Sequence, residues 1–157
     1  MSLKIRILSL LILALISTNL FALECNQTTF NKIRKEINKF ISFYKKSLTT
    51  EQERVSHISK DNYNSDMKIN KKTLISLNEK KSYLLLASVT NDNNINTWEA
   101  LKKTCQGRDL MAVKHQEENS KKRKILVHKL MEHINVCIEN KKFAIKLGND
   151  KHKASPL

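Results

Sequence analysis

The 157 residues carry 29 Lys and Arg against 15 Asp and Glu, a formal charge of +14, and include only two glycines and one proline. A sheet protein of this size, or a hydrolase pocket walled by tight turns, needs many more turn residues than Gly107, Gly148 and Pro156 supply. Both are excluded in favour of helices joined by polar loops.

Residues 1–22 have the layout of a secretory signal peptide. Lys4 and Arg6 precede an apolar run from Ile7 to Ile16, then polar Ser17, Thr18 and Asn19, then small Ala22. The apolar core is too short to span a bilayer as a helix. Leu20 departs from the small residue preferred three positions before the cut. The mature chain is expected to start near Leu23 and to work outside the cytosol, extracellular or, in a bacterium, periplasmic. Its acidic partners are then sulfated glycans, anionic membrane surfaces or an acidic receptor face, not nucleic acid. No later segment is apolar for long enough to insert in a membrane, and Leu84, Leu85 and Leu86 read as a buried patch.

Residues 23–148 read as one helical domain. Phe30, Ile33, Ile37, Phe40, Ile41, Tyr44 and Leu48 recur every three or four positions over 28–48, with Lys32, Lys35 and Lys39 on the solvated surface. The stretch 51–60 has only Val55 and Ile58 to bury and predicts a short helix or ordered loop; 61–65 predicts a loop. Leu74, Leu77, Leu84, Leu85 and Val89 mark a second long helix ending near Thr90, followed by a loop at 91–94. Asn96 and Glu99 have capping-box spacing and open a helix carrying Trp98, Leu101 and Cys105, ended or bent at Gly107. The last helix carries Leu126, Val127, Leu130, Met131, Ile134, Cys137, Ile138 and Ile145, with Lys141, Lys142 and Lys146 suiting its C-terminal dipole and Gly148 its closure. Residues 149–157 are expected to be a flexible tail. The fold expected is all-α, a four-helix bundle.

Cys25, Cys105 and Cys137 are odd in number, so one disulfide and one thiol, buried or paired with another chain, are expected. Cys105 lies beside Gly107, at a bundle end that Cys25 can reach, whereas Cys137 lies mid-helix, where cysteine packs as a small hydrophobe. Cys25 to Cys105 is therefore preferred, with Cys137 the alternative partner. There is no Cys-x-x-Cys, and no histidine stands at zinc spacing from a cysteine pair, so no metal or other cofactor is expected.

Other local features have a bland reading beside a functional one. Trp98 on a helix stripe is core more often than a ligand platform. His128 and His133, five apart, do not share a face well. Lys121, Lys122, Arg123 and Lys124 are a solvated helix start or a binding patch, and Asn26-Gln27-Thr28 is an N-glycosylation acceptor triplet. No nucleophile elbow, glycine-rich phosphate loop or His-Glu-x-x-His pattern organises catalytic residue types, and no enzymatic activity is expected.

Three patches resemble a known family. Cys25-Asn26-Gln27-Thr28-Thr29-Phe30-Asn31-Lys32-Ile33-Arg34 is similar to the opening of the interleukin-4, interleukin-7 and thymic stromal lymphopoietin group of short-chain four-helix cytokines. Ala100-Leu101-Lys102-Lys103-Thr104-Cys105-Gln106-Gly107 resembles the Ala-Leu-x-x-x-Cys-x-Gly stretch of the lymphopoietin. Lys121 to Lys124 and then Lys129-Leu130-Met131-Glu132-His133-Ile134 fall where the basic run and last helix of that group begin. The middle cysteine pair of the group is missing. The resemblance implies a secreted glycoprotein, glycosylated at Asn26, whose bundle with long crossover loops brings cytokine receptor ectodomains together. Lys32, Lys35 and Lys39 would meet a receptor, and Lys121, Lys122, Arg123 and Lys124 would hold sulfated glycans. The lymphopoietin pattern implies Cys25–Cys105, and the interleukin-7 pattern Cys25–Cys137. The alternative is a bacterial periplasmic or secreted helical binding, immunity or inhibitor protein, which suits the Asn-, Lys- and Ile-rich composition and the leader.

Overall fold

The computed structural model describes residues 23–55 and 63–153. The leader, and the last residues of the expected tail (154–157), lie outside the described residues. Helix α1, Gln27–Lys46, starts where Asn26 adopts extended backbone and its side-chain oxygen accepts from Thr29 N at 2.9 Å. It ends with Lys45 and Lys46 in the last turn, favourable to the helix dipole. Thr29, Ile33 and Phe40 turn inward, with Ile37 and Tyr44 half-buried on the same stripe.

A single helical turn, α2 (Glu51–Arg54), follows Thr50. The Glu53 carboxylate reaches back to accept from Thr50 N at 2.6 Å and from the Thr50 hydroxyl at 3.1 Å. Val55 then becomes extended and exposed.

Two long helices complete the fold: α3, Tyr63–Leu101, and α4, Gly107–Lys153, of 39 and 47 residues. Gly107 takes a φ of +54°, the left-handed region that L side chains rarely adopt. The connection between the two helices is only residues 102–106, so they form an antiparallel hairpin. α1 packs along α3 and reaches α4 through side chains, among them the Arg123 guanidinium 5.8 Å from the Phe40 ring centroid.

The hairpin seam repeats every seven residues. Asn70, Leu77, Leu84, Asn91 and Trp98 are buried along α3, and Val113, Ser120, Val127, Ile134 and Lys141 along α4. Two hydrogen bonds set the levels: Asn91 Nδ2 donates to Ser120 O at 2.8 Å, and Lys141 Nζ donates to Asn70 Oδ1 at 3.1 Å. The same register aligns Leu84 with Val127 and Leu77 with Ile134. This is the spacing of a coiled coil, in which apolar layers supply burial and a buried polar layer fixes the register. The polar layer divides the core into two clusters. One gathers Phe40, Leu77, Leu84, Ala87, Val127, Ile134, Cys137 and Ile138; the other gathers Ile33, Trp98, Leu101, Cys105 and Val113.

The all-α class holds for the described residues, but they form three long helices where four are expected. Residues 91–94 are not a loop, and no helix ends near Thr90: Asn91 and Asn94 face the seam of a continuous helix and are buried. Asn96 is therefore mid-helix, and no capping box opens there. α4 begins at Gly107, well before Leu126, and passes through Gly148 to Lys153, so Gly148 closes nothing and 149–153 are helical. The loop expected at 61–65 is helical from Tyr63. The short 102–106 turn replaces a long crossover at that point. Leu84 is fully buried, but Leu85 and Leu86 are 51% and 49% exposed, because successive helical residues point about 100° apart.

Candidate functional site

The disulfide joins Cys25, just before α1, to Cys105 in the α3–α4 turn, 80 residues away in sequence. Thr104 Oγ1 donates to Leu23 O at 2.7 Å and holds the same end. Trp98 is core: it is 3% exposed, packs with Ile33, Leu101, Cys105 and Val113, and lies 6.4 Å from the Phe30 ring. Beside it a cavity of about 320 Å³ between α1 and α4 is lined by Phe30, Ile37, Trp98 and Ala112 together with Arg34 and Asp109. Cys137 is the free, buried cysteine.

Lys32, Lys35 and Lys39 are exposed on one face of α1. Lys39 pairs with Glu36 at 2.6 Å, and among the described residues no ion pair involves Lys32 or Lys35. Asn26 is exposed at the start of this helix. Its oxygen caps α1 and its Nδ2 donates to Glu24 Oε2 at 2.8 Å.

The basic run 121–124 is contiguous in sequence but not in space. Lys121 binds Glu117 at 2.5 Å and approaches Glu99 at 3.9 Å, Lys122 binds Glu118 at 2.8 Å, and Lys124 crosses to Asp92 at 2.9 Å. Arg123 turns inward, where burial lowers its pKa. Consecutive helical positions cannot share a face, and carboxylates already meet the three lysines, so the run presents no single cationic patch.

Two buried ionic groups hold the α2 turn against the hairpin. Glu53, 7% exposed, accepts from Lys80 Nζ at 2.6 Å and Ser76 Oγ at 2.7 Å in addition to Thr50. Burial pushes its carboxyl upward, but Lys80, Thr50 and Ser76 outweigh that and hold it at about 2. Lys80 also donates to Leu48 O at 2.8 Å. Lys141, 1% exposed, donates to Val55 O as well as to Asn70, and burial lowers its pKa. Glu53 and Lys141 escape a reading by apolar periodicity because they are charged. The pattern Thr50-x-x-Glu53 was the available signal for the first.

Cys137 Sγ lies 3.6 Å from His133 Nε2, but burial raises the thiol's pKa and so favours the weakly nucleophilic protonated form. Among the described residues no group of three or more His, Cys, Asp or Glu is placed to hold a metal ion, and no helix is long and apolar enough to cross a membrane.

On the flank of the α3–α4 seam away from α1 runs an open groove of about 630 Å³. Leu85, Ile125, Val127 and Met131 provide its apolar surface, and Lys121, Lys124 and His128 its ionisable lining; no carboxylate lines it. No family model, curated protein or solved structure matches this chain.

Proposed function

We propose that this chain is a non-catalytic helical binding protein of the secreted or periplasmic immunity or inhibitor kind, exported through a cleaved leader and acting by occupying an acidic partner. The observation that carries the reading is the clamped hairpin. α3 turns directly into α4 through 102–106, and Cys105 in that turn is bonded to Cys25. A disulfide of this kind persists in oxidising compartments outside the cytosol. A stiff hairpin presents fixed surfaces, and the exposed lysines on α1 favour encounter with an acidic face.

A receptor-recruiting cytokine is the second reading. One observation favours it: Cys25–Cys105 is the pairing that the lymphopoietin resemblance implies. The uninterrupted α3 and the short turn after it weigh the other way, since that fold is expected to have four helices and long crossovers. Glycosylation at Asn26 belongs to this second reading.

The test immobilises the mature, disulfide-bonded protein and presents acidic extracellular and periplasmic enzymes and purified cytokine-receptor ectodomains at low and high salt. Saturable capture of one enzyme, with loss of that enzyme's activity, is expected. Bridging of two receptor ectodomains would replace this reading with the cytokine one. Saturable binding to neither set would overturn both.

A further inference from the structure

We infer that the outward face of α4 between Lys129 and Asp150 is a dimer interface, on which a second copy of this chain packs its own α4 antiparallel about a two-fold axis. The face is distinct from the α1 lysines, and its assignment does not depend on the functional reading.

The face follows from the seam. Val127, Ile134 and Lys141 are buried toward α3. The residue two positions after each lies about 200° further round the helix, on the side away from α3. Those residues are Lys129, Val136 and Phe143, and the same seven-residue step reaches Asp150. Seven residues bring a helix back to within about 20° of its starting direction, so the four share one stripe, about 30 Å long. All four are exposed, Val136 by 58% and Phe143 by 63%, and exposed Leu147 lies one turn from Phe143. α1 meets α4 near the seam, where Arg123 approaches the Phe40 ring, and leaves this side open to a helix. Large apolar side chains held in a row on an open face are anchors for contact with another chain.

The order of charges selects the occupant. Along α4 the stripe runs cation, valine, phenylalanine, anion. A two-fold interface sets residue i against residue j and j against i. An antiparallel copy with Val136 opposite Phe143 therefore sets Lys129 against the copy's Asp150 at both ends. Among the described residues neither Lys129 nor Asp150 is in an ion pair, so both charges are available to a copy. The same register brings Glu132, which meets His128 at 3.3 Å on its own helix, beside the copy's Lys146. Glu139 falls near the axis on one side of the stripe, where Lys142 neutralises it at 2.8 Å, and Asn140 lies on the other side. A parallel pairing would oppose lysine to lysine and aspartate to aspartate. Over 129–150 the exposed lysines 129, 142 and 146 balance Glu132, Glu139 and Asp150, within a chain of formal charge +14. A neutral stretch of this kind gains little from an anionic lipid surface or an acidic protein, whereas a second copy gains an opposite charge at each end.

Sedimentation equilibrium of the mature, disulfide-bonded protein over a concentration series tests this, with circular dichroism and thermal melts confirming that each variant folds. The exposure of the substituted side chains favours folding. A reversible monomer–dimer equilibrium is expected. Val136→Asp and Phe143→Asp should each weaken it at least about tenfold. Lys129→Glu and Asp150→Lys should each weaken it about fivefold, because like charges then meet at both ends. An equimolar mixture of these two charge variants should associate about as well as the wild type, since each chain then meets opposite charges from the other. Three outcomes would overturn the inference: a wild-type protein that stays monomeric at every concentration reached, a dimer that Phe143→Asp leaves intact, or a mixture that associates no better than either charge variant alone. Adsorption to phosphatidylglycerol vesicles that requires Phe143, by a protein that stays monomeric in solution, would assign the face to a lipid surface instead.

Discussion

Asn91 reaches across the hairpin interior to donate its side-chain amide to the carbonyl of Ser120 at 2.8 Å, between the two apolar clusters of the core. Among the described residues its Oδ1 and the Ser120 hydroxyl have no hydrogen-bond partner, and neither do Asn94 Nδ2 and Trp98 Nε1 nearby on the same stripe of α3. A polar layer of this kind costs stability and disfavours alternative registers, because a seven-residue slip sets Asn91 against Val113 or Val127 and Ser120 against Leu84 or Trp98.

The double variant Asn91→Leu, Ser120→Ala should therefore be more stable than the wild type by about 1–2 kcal/mol, since it removes two orphaned polar atoms along with one bond. Urea unfolding measures the gain. Sedimentation of the same variant should show a broader distribution of association states. A lower urea midpoint would show instead that the Asn91 bond outweighs its desolvation.

The same residues explain what was legible beforehand. Helical class, the inward faces of Ile33, Phe40, Trp98, Leu101 and Ile134, and the bend at Gly107 follow from apolar spacing and turn chemistry. Asn91 and Asn94 were misleading because a run of asparagines suits a loop locally, and only the seven-residue spacing from Leu77 through Leu84 to Trp98 shows that they belong to a seam. Lys121 to Lys124 read equally as a solvated helix start or a patch along the chain, and only their placement around the helix, with carboxylates against three of them, separates the two. Leu85 reads as core from apolar spacing alone, but α1 packs on the other flank of α3 and leaves it 51% exposed.

Glu53 gives a pH dependence with a definite sign. Its carboxyl is held at about 2 in the folded protein, below the ordinary 4.5 of a free glutamate, so the unfolded chain takes up its proton first as pH falls. Its contribution is fully present above about 4.5 and is lost as pH drops toward about 2. Glu53→Gln should cost about 2–3 kcal/mol at neutral pH, by weakening the Lys80 pair and the reach-back to Thr50, and should flatten the decline in stability across that window. Urea midpoints of both proteins from pH 6 to pH 2.5 check this. Parallel curves would remove the assignment.

Reduction should act at the other end of the molecule. Cys25 and Cys105 close a loop spanning 80 residues, and opening a loop of that size should lower stability by about 4 kcal/mol. Non-reduced peptide mapping should recover Cys25 linked to Cys105, with Cys137 alkylated only after unfolding, since it is buried. The Cys25→Ser, Cys105→Ser variant should retain helicity while losing protection around Leu23 and Thr104, and hydrogen exchange resolves that difference. Recovery of a Cys25–Cys137 peptide would overturn the pairing.

The α1 lysines are the last test, and they separate steering from contact. Lys32 and Lys35 are exposed without ion pairs among the described residues, and Lys39 is 60% exposed beside Glu36. Reversing all three to glutamate should leave helical content and melting temperature close to wild type, because exposed charges contribute little to folding. Against an acidic partner the same changes should slow association by roughly tenfold or more at low salt, with a smaller effect on dissociation. At physiological ionic strength, where the Debye length is about 8 Å, the difference should shrink, so the variant's association rate should depend less on salt than the wild type's. Surface-plasmon kinetics over a salt series reads both quantities. Equal association rates at low salt would remove the steering role, while a change confined to dissociation would mean that these lysines lie inside the interface and act by contact.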